Sequence, residues 1–159
     1  GLANAMHDAP LERVLIREYP QRPCLTISPM PTNADDIPRI VAEKAHELQI
    51  PIDAFHSVPC FRMDTSAVND KGHFDAKSVM LFNAAPSLNS TTFFPAGKYA
   101  SATFSGPVQA TPSVYRKMLG FIEEQGLSPV GDLLEFWHIH EYISQDSSEY
   151  IHTIEQRVV

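Results

Sequence analysis

Two stretches of the chain carry the hydrophobic spacing of an amphipathic helix. In the first, apolar residues recur every three or four positions, at Ile37, Ile40, Val41, Ala45 and Leu48. In the second, the same spacing gives Val114, Tyr115, Met118, Leu119 and Ile122. Such a spacing places the apolar side chains on one side of a helix, where a core can cover them. The pattern predicts helices over residues 34–48 and 112–125.

Residues with known positional preferences frame these two helices. Asn33 or Asp36 can cap the first helix, because a side-chain oxygen there accepts a hydrogen bond from the first turn. Thr111 is predicted as the N-cap of the second, followed by Pro112, whose missing N–H costs nothing at that position. Gly126 is predicted to end this helix, since glycine readily adopts the left-handed conformation that follows a last turn.

Each predicted helix lies between β-rich runs bounded by turn residues. One run precedes each helix and two follow it: 11–29, 54–64 and 78–86 in the first half, and 91–107, 133–142 and 149–159 in the second. The order strand, helix, strand, strand therefore occurs twice. We predict an α+β domain of two βαββ units related by a pseudo-twofold axis, with antiparallel sheets and two amphipathic helices. The domain spans 11–159, with halves of about 11–85 and 90–159, and residues 1–10 are interpreted as a linker or expression remnant.

Composition and charge restrict the partners of this domain. The chain has 159 residues, with twelve basic against nineteen acidic side chains and a formal charge of -7. Direct contact with nucleic acid is not expected, because that contact depends on a high density of lysine and arginine. No apolar run approaches the ~18 residues that a membrane span needs, and no signal peptide is recognisable, so we expect a cytoplasmic protein without a membrane partner. Cys24 and Cys60 form no CxxC pair and are expected to be reduced thiols.

Three stretches of the second half, "FFPAGKYASATFSGP", "GLSPVGDLLEFW" and "EYIHTIEQRV", resemble a known family. They are similar to a GyrI-like (SOUL-like) small-molecule-binding domain, the module fused to DNA-binding domains in some MerR- and AraC-type bacterial transcription regulators. The C-terminal part is most similar to effector domains of multidrug-responsive MerR-family regulators. The resemblance implies two βαββ units with a ligand pocket between them and no cofactor. It also implies DNA binding only through a separate N-terminal domain, and it allows a homodimer in the full-length regulator.

Glu135 is a single carboxylate in the apolar, aromatic strand "LLEFWHIHEY". An ionised carboxylate in such surroundings is costly unless it is paired, and no lysine or arginine lies near it in sequence. The resemblance implies that Glu135 faces the pocket as counter-charge to a lipophilic cation. Pairing across the sheet with Arg13, Arg17 or Lys98 is the structural alternative. Where the multidrug regulators have another pocket tyrosine, this chain has Thr111, which implies a differently shaped or less aromatic pocket.

Five aromatic residues are candidates for the walls of that pocket. Tyr150 matches a pocket tyrosine of the regulators, and an aromatic face beside a carboxylate suits an organic cation. Trp137 is two residues from Glu135, so both side chains share one face of a regular strand. Phe55, Phe61 and Phe82 are further candidates from the first half. For each of the five, simple packing in the core is the alternative interpretation.

The sequence "HIH" raises the question of a metal site. His138 and His140 share a strand face, and His152 on the next strand could approach them in space. Two ligands do not make a site, and no cysteine or third histidine has the spacing of a zinc module. We therefore predict no bound metal, with the histidines hydrogen-bonded to polar neighbours or partly exposed.

The function favoured by these observations is that of an effector-binding domain of a bacterial transcription regulator, with a hydrophobic, cationic small molecule as ligand. An enzyme is not expected, because no nucleophile motif, phosphate-binding loop or dinucleotide fingerprint occurs. One alternative is a stand-alone GyrI-like hydrolase of strained cyclopropane-type toxins, with Glu135 as general base and Tyr150 as hydrogen-bond donor. A second alternative is a stand-alone protein-inhibitor module that uses the acidic surface.

Overall fold

The computed structural model describes residues 13–49, 58–68, 75–82, 92–139 and 145–159. These residues form three α-helices: α1 (Ile37–Leu48), α2 (Thr65–Val68) and α3 (Thr111–Glu124). They also form nine strands: β1 (Val14–Tyr19), β2 (Arg22–Ser28), β3 (Thr32–Asn33), β4 (Val58–Met63), β5 (Asp75–Phe82), β6 (Thr92–Phe94), β7 (Gly97–Ser105), β8 (Pro129–Ile139) and β9 (Ile151–Val158). The α+β class and the two long amphipathic helices are confirmed. None of the described helices is long and apolar enough to cross a membrane.

The helix ends follow the sequence in part. Gly126 has φ +69°, and its N–H bonds the carbonyl of Glu123, so it closes α3 as predicted. The prediction of Thr111 as an N-cap was wrong. Ala110 occupies the cap position without a side-chain hydrogen bond, and Thr111 is the first helical residue. Its hydroxyl is directed to a tertiary partner on β8 instead of its own helix.

The short helix α2 was not expected, since the sequence predicted helices only over 34–48 and 112–125. Asp64 precedes it, and the carboxylate accepts hydrogen bonds from both the backbone N–H and the hydroxyl of Ser66. This local pairing favours a helical turn over an extended chain. Val68 then anchors the turn, because its side chain is fully buried.

The nine described strands join one antiparallel sheet rather than two. The strands run in the order β1-β7-β9-β8-β4-β5-β2-β6, with the short β3 beside β5. The strands of the two halves correspond in pairs: β1 with β6, β2 with β7, β4 with β8 and β5 with β9. When each strand is replaced by its counterpart, the order is the same read from the opposite end. The two halves meet where β8 pairs with β4, and the first strand of each half pairs with the other half. The strand order therefore has the pseudo-twofold symmetry predicted from the repeated pattern.

The sheet is strongly curved. β1 and β2 lie near opposite ends of the strand order, yet only Pro20 and Gln21 connect them, a link of roughly 10 Å. In addition, Arg22 on β2 reaches Glu155 on β9 at 2.8 Å, although four strand spacings, about 19 Å in a flat sheet, separate those strands. Both facts require the sheet to close towards a half-barrel around the face that carries Arg22 and Glu155. We call this side the concave face.

Each face of the sheet has its own apolar cluster. α1 and α3 cover the other side, here called the helix face, and the buried stripes predicted for them pack against β-strand residues such as Phe61, Leu133 and Ile154. The concave face holds a smaller cluster of Cys24, Val58, Cys60, Met80, Phe94, Tyr99, Leu134 and Phe136. Cys24 and Cys60 are both buried free thiols.

Candidate functional site

Glu135 lies in the middle of β8, next to the junction of the two halves, opposite Phe61 of β4. Its side chain is fully buried on the helix face. The hydroxyl of Thr111, at the start of α3, donates a hydrogen bond of 2.5 Å to Oε1. The indole Nε1 of Trp137 donates another of 2.5 Å to Oε2. The carboxylate thus connects the first turn of α3 to the central strand of the sheet.

His152 is the third polar neighbour of this carboxylate. Its Nε2 lies 2.7 Å from the carbonyl oxygen of Gly106, and because a carbonyl only accepts, Nε2 carries the proton. The other ring nitrogen, Nδ1, lies 3.4 Å from Oε2 of Glu135 and makes no hydrogen bond within the described part of the chain. No lysine or arginine is among the contacts described for Glu135. The alternative of an ion pair across the sheet with Arg13, Arg17 or Lys98 is therefore not supported.

Trp137 shares the helix face with Glu135, as predicted from their spacing. Its indole is 6% exposed and packs edge-on against Phe61, with ring centroids 5.1 Å apart. His152 stands edge-on to it from β9. Phe61 is fully buried in the same cluster. These aromatic rings form the surroundings of the acid in this structure.

Other predicted wall residues lie elsewhere. Phe82 is on the concave face, where the centroid of its ring lies 5.6 Å from that of Phe136. The sheet therefore separates Phe82 from Glu135. Tyr150 is half-buried just before β9 and lies four residues from Ile154, the strand partner of Glu135. That is roughly 13 Å along the strand. Phe55 lies outside the described residues.

The concave face holds a charged cluster that the sequence did not reveal. The guanidinium of Arg22 lies over the ring of Tyr19 at 3.8 Å and near that of Tyr99 at 4.9 Å. Phe82, Phe94 and Phe136 approach it within about 6 Å. Its Nη2 pairs with Oε1 of Glu155, and both side chains are nearly buried, at 11% and 5% exposure. We call these residues the arginine cage.

A cavity of about 300 Å³ opens beside the arginine cage. Seven strands contribute to its wall, which places it in the mouth of the half-barrel, a common position for small-molecule sites. The wall is aromatic at Tyr19, Phe82 and Phe136, and polar at Ser101, Thr103 and Thr153. Glu135 and Trp137 are on the opposite face of the sheet and do not line it.

His138 and His152 cannot hold one metal ion together. They lie on adjacent strands but on opposite faces, since His138 lines the concave cavity and His152 contacts Glu135 on the helix face. His140 is outside the described residues. Within the ranges that are described, no group of three or more potential ligands occurs. The Nε2 atom of His138 is hydrogen-bonded to the hydroxyl of Thr153 at 2.7 Å.

The surroundings of His138 predict a pH-dependent stability. Burial, with a smaller contribution from His152, lowers the pKa of His138 from 6.5 to about 4. Between pH 6.5 and about pH 4, His138 is therefore protonated in the unfolded chain but neutral in the folded chain. The free energy of unfolding consequently falls as the pH is lowered through this range. Between pH 7 and pH 5 we expect a loss of about 2 kcal/mol from this group. Urea unfolding of the parent and of His138→Gln at both pH values measures it. An equal loss in the two proteins would contradict the assignment.

The fold is shared with several solved structures. The crystal structure of the EcmrR C-terminal domain matches with a TM-score of 0.69 at 13% identity, over 92% of this chain and 97% of that one. EcmrR in its complex with DNA matches equally, but this chain spans only 57% of its length. No family model and no curated protein sequence matches the chain.

Two further neighbours have been studied in other contexts. SAV2435 bound to tetraphenylphosphonium matches with a TM-score of 0.55 at 11% identity, over 92% of this chain and 94% of that one. A hydrolase from Listeria innocua matches with a TM-score of 0.61 at 10% identity, over 99% of this chain and 97% of that one. At these identities the likeness establishes the fold, and it confirms the GyrI-like fold that the sequence predicts.

Proposed function

We propose that this chain is the effector-binding domain of a bacterial transcription regulator and that its effector is a hydrophobic cation. The observation that carries the proposal is Glu135, a fully buried carboxylate at the junction of the two halves. Its described partners are the neutral donors Thr111 and Trp137 together with His152. A buried carboxylate that contacts no lysine or arginine among the described residues is suited to a cation that arrives as ligand.

The solved neighbours support this choice of function. One of them, SAV2435, binds tetraphenylphosphonium, and another, EcmrR, is a DNA-bound protein whose C-terminal domain has this fold. In the proposed regulator, a MerR-type protein of the cytoplasm, DNA is contacted by a further domain and two subunits form a dimer. The acidic charge of -7 fits a domain that does not itself contact DNA.

The arrangement around Glu135 suggests how the ligand signal begins. In this structure the carboxylate holds the first turn of α3 through Thr111. A cation that takes up the carboxylate competes with this hydrogen bond and with that of Trp137. Ligand binding is thereby coupled to the position of α3 against the sheet. If the ligand binds more tightly to one position of α3 than to another, binding shifts the population towards that position, and the shift can change the arrangement of an attached DNA-binding domain.

Titration with tetraphenylphosphonium tests the proposal. Trp137 is the only tryptophan in the chain and donates directly to Glu135, so binding at the acid should change its fluorescence. We expect saturable quenching and a calorimetric affinity at least tenfold higher than for triphenylphosphine oxide, a neutral compound that has three of the four phenyl groups. Equal affinity for the two compounds, or binding of neither, would contradict a cation-binding function.

A hydrolase is the second candidate function, because two of the solved neighbours are described as hydrolases. In that case Glu135 would activate water and Tyr150 would donate a hydrogen bond to a strained cyclopropane-type substrate. The separation of roughly 13 Å along the strand requires both side chains to lean towards each other. Turnover of such a compound, lost in Glu135→Gln and in Tyr150→Phe, would favour the enzyme. Cation binding without turnover favours the sensor.

A further inference from the structure

The cavity in the mouth of the half-barrel carries an excess of positive charge, although the chain as a whole is acidic. Arg17 and Arg22 line it against a single carboxylate, Glu155, whereas the whole chain carries a charge of -7. The imidazole of His138 also lines it and is neutral at pH 7, because burial lowers its pKa to about 4. A local excess of positive charge in an acidic protein favours an anionic ligand.

Two side chains at this cavity retain unsatisfied hydrogen-bonding atoms. Arg22 uses Nη2 for Glu155, and its Nε is buried without a partner among the described residues. His138 uses Nε2 for the hydroxyl of Thr153, and its Nδ1 is likewise buried without a partner. A hydroxyl can donate to Nε2, which leaves Nδ1 to carry the proton and act as a donor. Buried polar atoms are nearly always satisfied, so two unpaired donors beside one cavity favour a ligand that carries a hydrogen-bond acceptor.

The remainder of the wall selects an aromatic ligand of modest size. Tyr19, Phe82 and Phe136 present rings to the cavity, and its volume of about 300 Å³ is at the lower end of small-molecule sites. One or two fused rings fill such a space. The acceptor group of the ligand would meet Arg22 and His138, while the rings contact the aromatic wall.

From this geometry we propose that the concave face holds a second small-molecule site, which takes a small aromatic carboxylate. The carboxylate accepts from Arg22 and from His138, and Arg17 at the rim adds long-range attraction. This site lies on the face of the sheet opposite to Glu135 and has the opposite charge preference. It therefore stands whether or not the cation-binding proposal is correct.

Three naphthalene derivatives with the same ring system test the charge preference: 2-naphthoate, 2-naphthylmethanol and 2-naphthyltrimethylammonium. Isothermal titration calorimetry of the whole chain at pH 7 should show naphthoate binding at least tenfold tighter than the alcohol, with the ammonium compound weakest. If the ammonium compound binds as tightly as the carboxylate, the proposal is wrong. Equal binding of the carboxylate and the alcohol overturns it as well.

Variants locate the site. Arg22→Gln alone leaves Glu155 buried without its partner, so the pair is replaced together in Arg22→Gln/Glu155→Gln, which removes both charges and shortens only the side chain at position 22. We expect this double variant to lose about ten- to hundredfold in naphthoate affinity, the worth of a charged hydrogen bond. Arg17→Gln, an exposed change that preserves the fold, should lose about threefold, and less at high salt.

Two controls distinguish this site from others. Arg62 is another partly buried arginine beside Phe94 but lines neighbouring cavities, so Arg62→Gln should bind naphthoate within twofold of the parent. Glu135→Gln should also leave naphthoate binding within twofold, because the sheet separates the two sites. A loss in Arg62→Gln equal to that of the double variant would show general attraction to a basic face and refute a defined site.

Discussion

Glu135→Gln is expected to weaken tetraphenylphosphonium binding by about thirtyfold or more, which corresponds to at least ~2 kcal/mol. Glutamine preserves the length of the side chain and an acceptor for Thr111 or Trp137, but it removes the negative charge. In a buried site the loss of a counter-charge is costly, because no water replaces it. The affinity for neutral triphenylphosphine oxide should change by less than twofold. Calorimetry of both ligands with both proteins gives the comparison.

Thr111→Val provides the matched control at the same place. Valine has the shape of threonine and removes one hydrogen bond to Glu135, but the carboxylate keeps its charge. The preference for the cation over the neutral compound should therefore persist in this variant. If Glu135→Gln binds tetraphenylphosphonium as well as the parent does, Glu135 is not the counter-charge and its role is structural.

Arg22→Met is expected to destabilise the domain by about 3–5 kcal/mol, the largest stability effect that we predict. Methionine retains much of the apolar contact with the aromatic rings of the arginine cage. It leaves Glu155, which is 5% exposed, without its cation. An unpaired charge in such a position costs more than the pair itself contributes. Chemical unfolding at pH 7, with the free energy extrapolated to water, measures the effect.

A double-mutant cycle tests the cause of this loss. Arg22→Met/Glu155→Gln removes both charges and should recover most of the stability lost in Arg22→Met. Arg39→Met, on the exposed side of α1 where Arg39 pairs with Glu43, should cost less than ~1 kcal/mol. If the losses of stability in Arg22→Met and in Glu155→Gln simply add up in the double variant, Arg22 and Glu155 are not energetically coupled. An effect of Arg22→Met no larger than that of Arg39→Met would lead to the same conclusion.

The elements of this fold could be predicted because their signals are local. The apolar stripe of α3 and the stop at Gly126 involve residues within a few turns of one another, and both were found as expected. Thr111 marks the limit of such reasoning. Its hydroxyl has two uses, as a cap for its own helix or as a donor to Glu135 on a strand 24 residues away. Only the packing of the helix on the sheet decides between them.

The site residues show a second limit, which is the choice of sheet face. The spacing of Glu135 and Trp137 on one strand placed them together correctly, whereas Phe61 and Phe82, on different strands, lie on opposite faces. The face of a residue on a distant strand depends on register and bulges, such as the one between Arg62 and Met63. Arg22 and Glu155 were missed for the same reason. Their contact spans 133 positions and exists only because the sheet curves.

The crossed pairing of the first strands has a consequence for how this chain becomes folded. β1 pairs with β7 and β6 pairs with β2, so each half supplies an outer strand to the other. During synthesis the N-terminal half emerges first and must wait with β1 unpaired until β7 leaves the ribosome. Pairings between such distant segments form slowly, and a waiting strand edge is exposed to aggregation. We therefore expect neither half to fold independently, and we expect the domain to fold cooperatively as one body.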